Sequence, residues 1–349
     1  VIPVVLALLE RLSARHSVCV FALQQEARPA RWSLRGADIH NIGSARAPFR
    51  AVAAIRREHR AAPFDVIHAL WAGASSLTAA IAARLLGIPL CVHLTGGELV
   101  GFKDIGYGQR LRLHWRVLNH WVLTRADCVS ATSVPMVQLA AAIGIDARRV
   151  PLGIARNDWP PLAPRARGAG EIARLVQVAS LNRVKDIGTT VEAMRLLVSR
   201  GRAVSIDFIG EDTLNGEVQG YCARLGLTGQ TTFHGFLTQR ELRPVMERAH
   251  LHIVSSRHEA GPAAALEAAF VGVPTVGTRV GHIWEWSGLA ALAVPVRDAA
   301  ALANAIEQLL DDDAARLRLA REAQRRALAE DADHTAAQFE AMYHEVTGR

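Results

Sequence analysis

Short apolar runs alternate with amphipathic helical patterns almost from end to end of this chain, as parallel sheets with crossover helices require. In the first half the pattern predicts strands at Val18–Leu23, Asp38–Ile42, Asp65–Leu70, Pro89–Leu94, Asp127–Ala131 and Arg149–Leu152. Helices are predicted over Ile2–Leu12, Phe49–Arg60 and Ser76–Leu86, and Gly87-Ile88-Pro89 marks a helix stop and strand start. A second series of strands follows at Ala173–Ala179, Val204–Gly210, Thr231–Gly235, Leu251–Ser255, Pro274–Gly277 and Ala290–Val294. The helices between them are predicted at Gly188–Arg200, Glu217–Leu225, Arg240–Arg248 and Ala263–Val271. From Asp298 the chain reads as helix, interrupted near Asp311-Asp312-Asp313 and Asp331.

The best linker is the Pro- and Gly-rich stretch from Trp159 to Gly170, which has no hydrophobic period. It divides the chain into an N-terminal domain (1–156), a linker (157–170), a C-terminal domain (171–331) and a terminal helix (332–349) expected to pack back on the first domain. With 349 residues, each half is long enough to bury its own core. Two doubly wound domains are expected to bind ligands at the carboxyl ends of their strands, in a cleft between them.

Composition narrows the class. Half of the residues are apolar and 21% charged, which excludes a disordered chain. No run of about 18 uncharged apolar residues occurs, so a spanning helix is not expected. Cys19, Cys91, Cys128 and Cys222 form no CxxC pair, and buried free thiols in a reducing compartment are expected. Through residue 159 there are 19 basic and 10 acidic residues, a net of +9; beyond it 21 and 23, a net of −2. That excess suits an anionic acceptor, a membrane surface or simply a solvated Arg-rich face. A nucleic-acid reading rests on charge alone, and no nucleic-acid partner is expected. Lysine occurs only as Lys103 and Lys185, against 38 arginines, a skew that reads as codon usage.

Three loops carry candidate chemistry. Ser255-Ser256-Arg257-His258-Glu259-Ala260-Gly261-Pro262-Ala263 follows a buried strand and opens an Ala-rich helix that contains Glu267. Pro262 suits the helix entry, and the free N–H groups there form a natural diphosphate site. Glu259 before the helix and Glu267 inside it each offer a carboxylate to a pair of sugar hydroxyls. The same spacing also fits an ordinary helix start with two solvated glutamates. Ser180-Leu181-Asn182-Arg183-Val184-Lys185-Asp186 places cations at a strand end, ready to neutralise a diphosphate or else forming a solvated pair. Thr95-Gly96-Gly97-Glu98 follows the Pro89–Leu94 strand; its glycines allow close backbone approach and Glu98 is placed to orient an acceptor. His93 reads equally as structural or functional. Lys103, Tyr107, Arg110, Arg112 and Arg116 form a basic cluster that either receives an anionic or lipid-linked acceptor or is an exposed basic helix. Asp331-Ala332-Asp333 has a metal-motif spacing, but its place between helices suits capping.

Taken together these segments resemble the retaining glycosyltransferases of family 4. Glu259 and Glu267 are followed by Gly272-Val273-Pro274-Thr275 and Val280-Gly281-His282-Ile283-Trp284-Glu285, like that family's donor-site signature. Asp65-Val66-Ile67-His68, Val150-Pro151-Leu152-Gly153, Phe208-Ile209-Gly210-Glu211-Asp212 and Phe233-His234-Gly235 match its landmarks in order. The resemblance implies a GT-B fold, an α/β architecture of two Rossmann-like domains facing a central cleft. It implies transfer of a sugar from a nucleotide-diphosphate donor, with retention and no metal or cofactor, to a glycan or lipid-linked acceptor. Glu267 is implied to hold the ribose, Glu259 the transferred sugar, and Gly261, Pro262 and Ala263 the sugar and diphosphate. His234 and Gly235 are implied to border the base. Lys185 matches the family's phosphate lysine, whereas Ser180 stands in its arginine's place, with Arg183 either the substitute within this chain or not. Thr95 and Glu98 depart from the family's His-Gly-x-Asp, which puts a catalytic His there in doubt.

Two other readings remain open at this stage: a nucleotide-sugar-binding GT-B protein without turnover, and a GT-B nucleotide-sugar epimerase. The expected location is cytoplasmic, with peripheral contact at the anionic inner membrane face. The chain opens on Val1 and runs directly into helix; Glu10 and Arg11 continue that pattern rather than a secretion signal. In the family a strand and a glycine-containing loop precede such a helix. The first strand of the N-terminal domain is therefore expected to be missing, and the chain as written to have reduced or no transfer activity.

Overall fold

The computed structural model describes residues 2–45, 47–168 and 170–348; Val1 and Ala169, which the sequence reading included, lie outside the described residues, as do Arg46 and Arg349. The chain divides into two compact units, Val1–Gly153 with Ala332–Arg349, and Ile154–Asp331.

The first unit contains α1 (Pro3–Ser13), β1 (Cys19–Ala22), β2 (Ala30–Leu34), β3 (Ala37–Asn41), α2 (Pro48–Ala61), β4 (Ile67–Leu70) and α3 (Ala74–Leu86). It continues with β5 (Leu90–Leu94), α4 (Leu113–Leu123), β6 (Cys128–Ala131), α5 (Val134–Ala141) and β7 (Arg148–Arg149). One sheet has the order β1-β3-β2 and another the order β4-β5-β6-β7. The unpredicted β2 runs antiparallel to β3 through a tight turn at Arg35 and Gly36, both with positive φ. The strand expected over Arg149–Leu152 shrinks to a two-residue pairing with β6, because Pro151 has no N–H to continue the ladder.

The second unit contains β8 (Ala173–Val178), α6 (Ile187–Ser199), β9 (Val204–Ile209), α7 (Glu217–Arg224), β10 (Thr231–Phe233), α8 (Gln239–Arg248) and β11 (Leu251–Val254). It ends with α9 (Ala263–Phe270), β12 (Thr275–Thr278), α10 (Gly281–Glu285), β13 (Ala291–Val294), α11 (Ala299–Asp311) and α12 (Asp313–Ala329). Its six strands are parallel, in the order β10-β9-β8-β11-β12-β13. Leu175, Ile206, Phe208, Ile253 and Val276 of the strands pack with Met194 and Leu197 of α6 and Leu302 and Ile306 of α11. The chain winds outward to β9 and β10 on one side and to β11, β12 and β13 on the other. The switch point therefore lies between β8 and β11, where an open parallel sheet leaves a crevice at its carboxyl edge.

The terminal helix α13 (Ala332–Thr347) belongs to the first unit. Thr335 bridges Pro151 O and Gly153 N, Tyr343 OH lies 2.7 Å from His68 Nδ1, and Phe339 packs edge-on to the His68 and His93 rings. Ion pairs Arg11–Asp333, Arg15–Glu340 and Arg148–Glu345 fasten its outer face.

The expected linker is not a free tether. Trp159 is only 1% exposed, and Leu162 N donates to Phe270 O at 3.0 Å. Gln324 Nε2 donates to Leu162 O, and the buried Arg316 donates to Arg165 O. A proline-rich segment makes few hydrogen bonds with itself, so its carbonyls are open to these side chains.

Candidate functional site

The loops after β8 and β11 meet at the switch point. Lys185 N is held by Asn182 Oδ1 at 3.1 Å, and Ser255 Oγ donates to Lys185 O at 2.8 Å. Gln177 Nε2 in turn donates to Ser255 Oγ, and Arg257 N to Val184 O. This bracing brings Lys185 Nζ to 2.5 Å from Glu259 Oε1, which also accepts from Ser256 Oγ at 2.6 Å. Both charged side chains are partly exposed. Gly210 at the end of β9 makes the loop possible. A Cβ there would lie 2.1 Å from Ala179 O, and its φ is +146°.

Glu259 precedes the turn Ala260-Gly261-Pro262, and Ala263 starts α9. Pro262 at the N-cap gives α9 no side-chain cap, and a helix start of this kind presents its first N–H groups to an anion. Eight residues after Glu259, Glu267 lies inside the helix and is 5% exposed. Among the described residues one side chain donates to it, Gln239 Nε2 to Oε1 at 3.1 Å. Burial pushes the Glu267 carboxyl up to about 7, with the Gln239 bond pulling the other way. Gln239 opens α8 directly after Thr238, whose capping box with Glu241 fixes that helix start. His234 leaves β10 exposed, with Nε2 2.7 Å from Asp207 Oδ1, and Gly235 O accepts from Gly210 N.

Two expected site residues are placed differently. Arg183 pairs with Glu217 at the start of α7, Nη2 to Oε1 at 3.2 Å, with both side chains more than half exposed. The structure does not join it to the Lys185–Glu259 pair, since two residues of loop turn it toward α7. In the first unit, Glu98 does not present its carboxylate to an acceptor. It is 2% exposed and accepts from Gly96 N at 2.7 Å and Thr95 N at 3.3 Å, with further bonds from Ala72 and its own N–H. Burial raises its pKa, and those four backbone bonds oppose the rise.

The Thr95–Gly97 backbone is thus shaped by its own acid, with Trp71 against Gly96 and the Tyr107 hydroxyl against Gly97. His93 is structural: its two ring nitrogens lie at 2.9 Å from Ser130 Oγ and 3.1 Å from Thr132 Oγ1. Asp331 and Asp333 pair with Arg156 and Arg11. Gln239 and Trp71 gave no signal along the chain, because each acquires its role only through a tertiary neighbour.

Comparison with known proteins agrees with this fold. Residues 168–326 match the glycosyl transferases group 1, and residues 1–153 the glycosyl transferase 4-like domain. The chain is 28% identical to a 2-deoxystreptamine glucosyltransferase of Streptomyces kanamyceticus, over 72% of this chain and 69% of that protein. It is 31% identical to a glycogen synthase of Mycobacterium tuberculosis, over 75% of this chain but 64% of the relative's length. Among solved structures, sucrose-phosphate synthase from Thermosynechococcus elongatus superposes with a TM-score of 0.82 at 20% identity, covering 98% of this chain and 92% of that one. Anabaena HepE, crystallised with UDP and glucose, gives 0.76 at 17% identity over 98% and 96%. The two structures share the fold, and the matches along both halves of the sequence carry the family: the chain belongs to the group 1 glycosyltransferases and has the GT-B fold.

Proposed function

We propose that this protein moves a sugar from a nucleoside diphosphate sugar to a hydroxyl of a glycan or lipid-linked acceptor, with retention at the anomeric carbon and without a metal. The observation that carries the reading is the set Lys185, Glu259 and Glu267 gathered around the uncapped start of α9 at the switch point. In the reaction the bond from the anomeric carbon to the diphosphate oxygen breaks. The acceptor oxygen bonds the same face of that carbon, and the acceptor's proton passes to the departing phosphate.

Lys185 and the first N–H groups of α9 supply positive charge where the diphosphate gains its negative charge. Glu259 is released from Lys185 by the arriving phosphate and takes up hydroxyls of the transferred sugar. Glu267 accepts from the ribose hydroxyls, positioned by Gln239. The names of relatives, a lipopolysaccharide core biosynthesis glycosyltransferase of Rhizobium meliloti and an amylovoran biosynthesis glycosyltransferase of Erwinia amylovora, support an acceptor in polysaccharide or glycolipid assembly. A cytoplasmic setting follows from that proposal, since nucleotide sugars are its donors. No helix among the described residues is long and apolar enough to cross a membrane.

The test is acceptor-dependent release of nucleoside diphosphate from a panel of nucleotide sugars, with EDTA present, for the wild type and Lys185→Ala. Release that depends on acceptor, persists in EDTA and falls in the variant supports the reading. Tight nucleotide binding with no release from any donor would instead favour a binding protein without turnover.

A further inference from the structure

We propose that Cys91 and Cys128 of the first unit form a redox-active pair that hydrogen peroxide oxidises to an intrachain disulfide. Both are free thiols. They are direct partners across the parallel ladder of β5 and β6, and their Sγ atoms are hydrogen-bonded at 2.7 Å. Neighbouring strands lie about 4.8 Å apart, inside the span of about 4.4–6.8 Å between the Cα atoms of a disulfide. Joining the sulfurs therefore asks for side-chain rotation and not for movement of the sheet. The pair lies beneath α13. Cys91 points to the same side of β5 as His93, two residues on, whose ring packs against Phe339. His68, in register with Cys91 on β4, carries the contact with the Tyr343 hydroxyl. Burial raises that hydroxyl above its usual range, and charge on Cys91 or Cys128 raises it further.

The two thiols have different parts. Cys91 is fully buried, whereas Cys128 is partly exposed. The hydrogen bond with Cys91 holds the Cys128 thiol below its usual range; burial opposes this and Arg148 on the neighbouring β7 adds to it. The same bond, with burial, pushes Cys91 up. Cys128 is thus the thiol that meets the oxidant, and Cys91 the one that resolves it. The Cys128 thiolate, its proton passed to water, attacks one peroxide oxygen. The O–O bond breaks, leaving a sulfenic acid on Cys128 and a hydroxide that regains that proton as water. The Cys91 sulfur then attacks the Cys128 sulfur, the S–O bond breaks, and the oxygen departs as water with the Cys91 proton. Two electrons pass from the dithiol to the peroxide, and a small dithiol restores the pair by exchange. In a reducing compartment such a disulfide is transient, so the pair senses an oxidant and does not fasten the fold. Cys19 on β1 and Cys222 on α7 are a contrast, because burial raises both thiols, Cys19 to about 11. No residue of the donor site takes part, so the proposal stands apart from the transfer chemistry.

The experiment is peptide mass mapping of the whole folded chain after timed exposure to hydrogen peroxide, with the peroxide removed and the chain then unfolded in an alkylating agent. A peptide pair joined through Cys91 and Cys128 is expected, lighter by about 2 Da than its two reduced halves together. It should form at least about tenfold faster than Cys19 or Cys222 loses its free thiol. Dithiothreitol added before unfolding should return all four cysteines to the alkylated form. Cys91→Ser is expected to halt at the Cys128 sulfenic acid, which dimedone traps, and Cys128→Ser to leave Cys91 unmodified. The wild-type map needs neither variant to fold. Recovery of Cys91 and Cys128 as alkylated thiols while Cys19 or Cys222 is oxidised overturns the proposal. So does oxidation of all four at one rate, or a linked peptide that joins any other two cysteines.

Discussion

Glu98 and Glu267 are both buried carboxyls at the carboxyl end of a parallel sheet, yet they are built for opposite purposes. Four backbone N–H groups surround Glu98, so its acceptor capacity is filled by the loop it organises. Glu267 has one donor among the described residues, Gln239, and burial drives it up to about 7. A carboxylate with filled valences holds a backbone in shape. One with open valences, kept near its titration point, is ready for ligand hydroxyls. Burial alone does not separate the two cases, but the number of donors does.

The largest effect expected separates them by what is lost. Glu267→Ala is expected to weaken nucleoside diphosphate binding by about a hundredfold, since bonds to a charged acceptor contribute about 1.5–3 kcal/mol each. Its unliganded melting temperature should stay at or above that of the wild type. Glu98→Ala leaves buried N–H groups without partners and is expected to cost about 2–4 kcal/mol of stability, read by denaturant unfolding, while nucleotide affinity stays unchanged. Loss of nucleotide binding in Glu98→Ala with normal stability would erase the distinction.

Next in size, Lys185→Ala is expected to lower kcat about a hundredfold in a transfer assay, with a smaller change in the donor KM, because the cation acts where charge develops.

A smaller effect follows from titration. Glu267 sits above the ordinary 4.5, so the stability linked to its neutral form is fully present below about pH 4.5 and is lost as pH rises through about 7. The ribose hydroxyls donate best to the ionised form. Nucleotide affinity is therefore expected to rise, by about tenfold at most, from about pH 6 to about pH 8, with proton release on binding. Calorimetry in buffers of different ionisation enthalpy reads that proton, and Glu267→Gln should abolish both the release and the pH dependence.

The smallest effect belongs to Arg183→Ala, expected to change kcat/KM less than about twofold, because its exposed pair with Glu217 contributes little. A tenfold loss would show that the guanidinium reaches the donor after all.

Much of the second unit was legible in the sequence because its strands are short apolar runs bounded by Gly and Pro, and because Glu259 and Glu267 flank a recognisable helix start. The first unit was less legible. β2 carries Arg31 and Ser33 on an exposed edge, so it lacks the apolar run that marks a strand. α4 mixes Leu113 and Val117 into its solvent face, which blurs the helical period over Leu113–Leu123. The inward turn of Glu98 and the contact of Gln239 with Glu267 depend on residues that meet only in the folded chain. The segment around Trp159 has the composition of a tether, but the Leu162 N–H finds a carbonyl on α9 and the Leu162 carbonyl a donor on α12, which no local pattern reveals.

The central claim is that Glu267 grips the ribose of a nucleoside diphosphate. Its most direct test is the affinity of the wild type and Glu267→Ala for UDP, GDP and ADP, each paired with its 2′-deoxy counterpart. For the nucleotide that binds, the wild type is predicted to prefer the ribose form by about tenfold or more, and Glu267→Ala to bind both forms equally weakly. A wild type indifferent to the 2′-hydroxyl, or a variant that keeps the preference, would contradict the account.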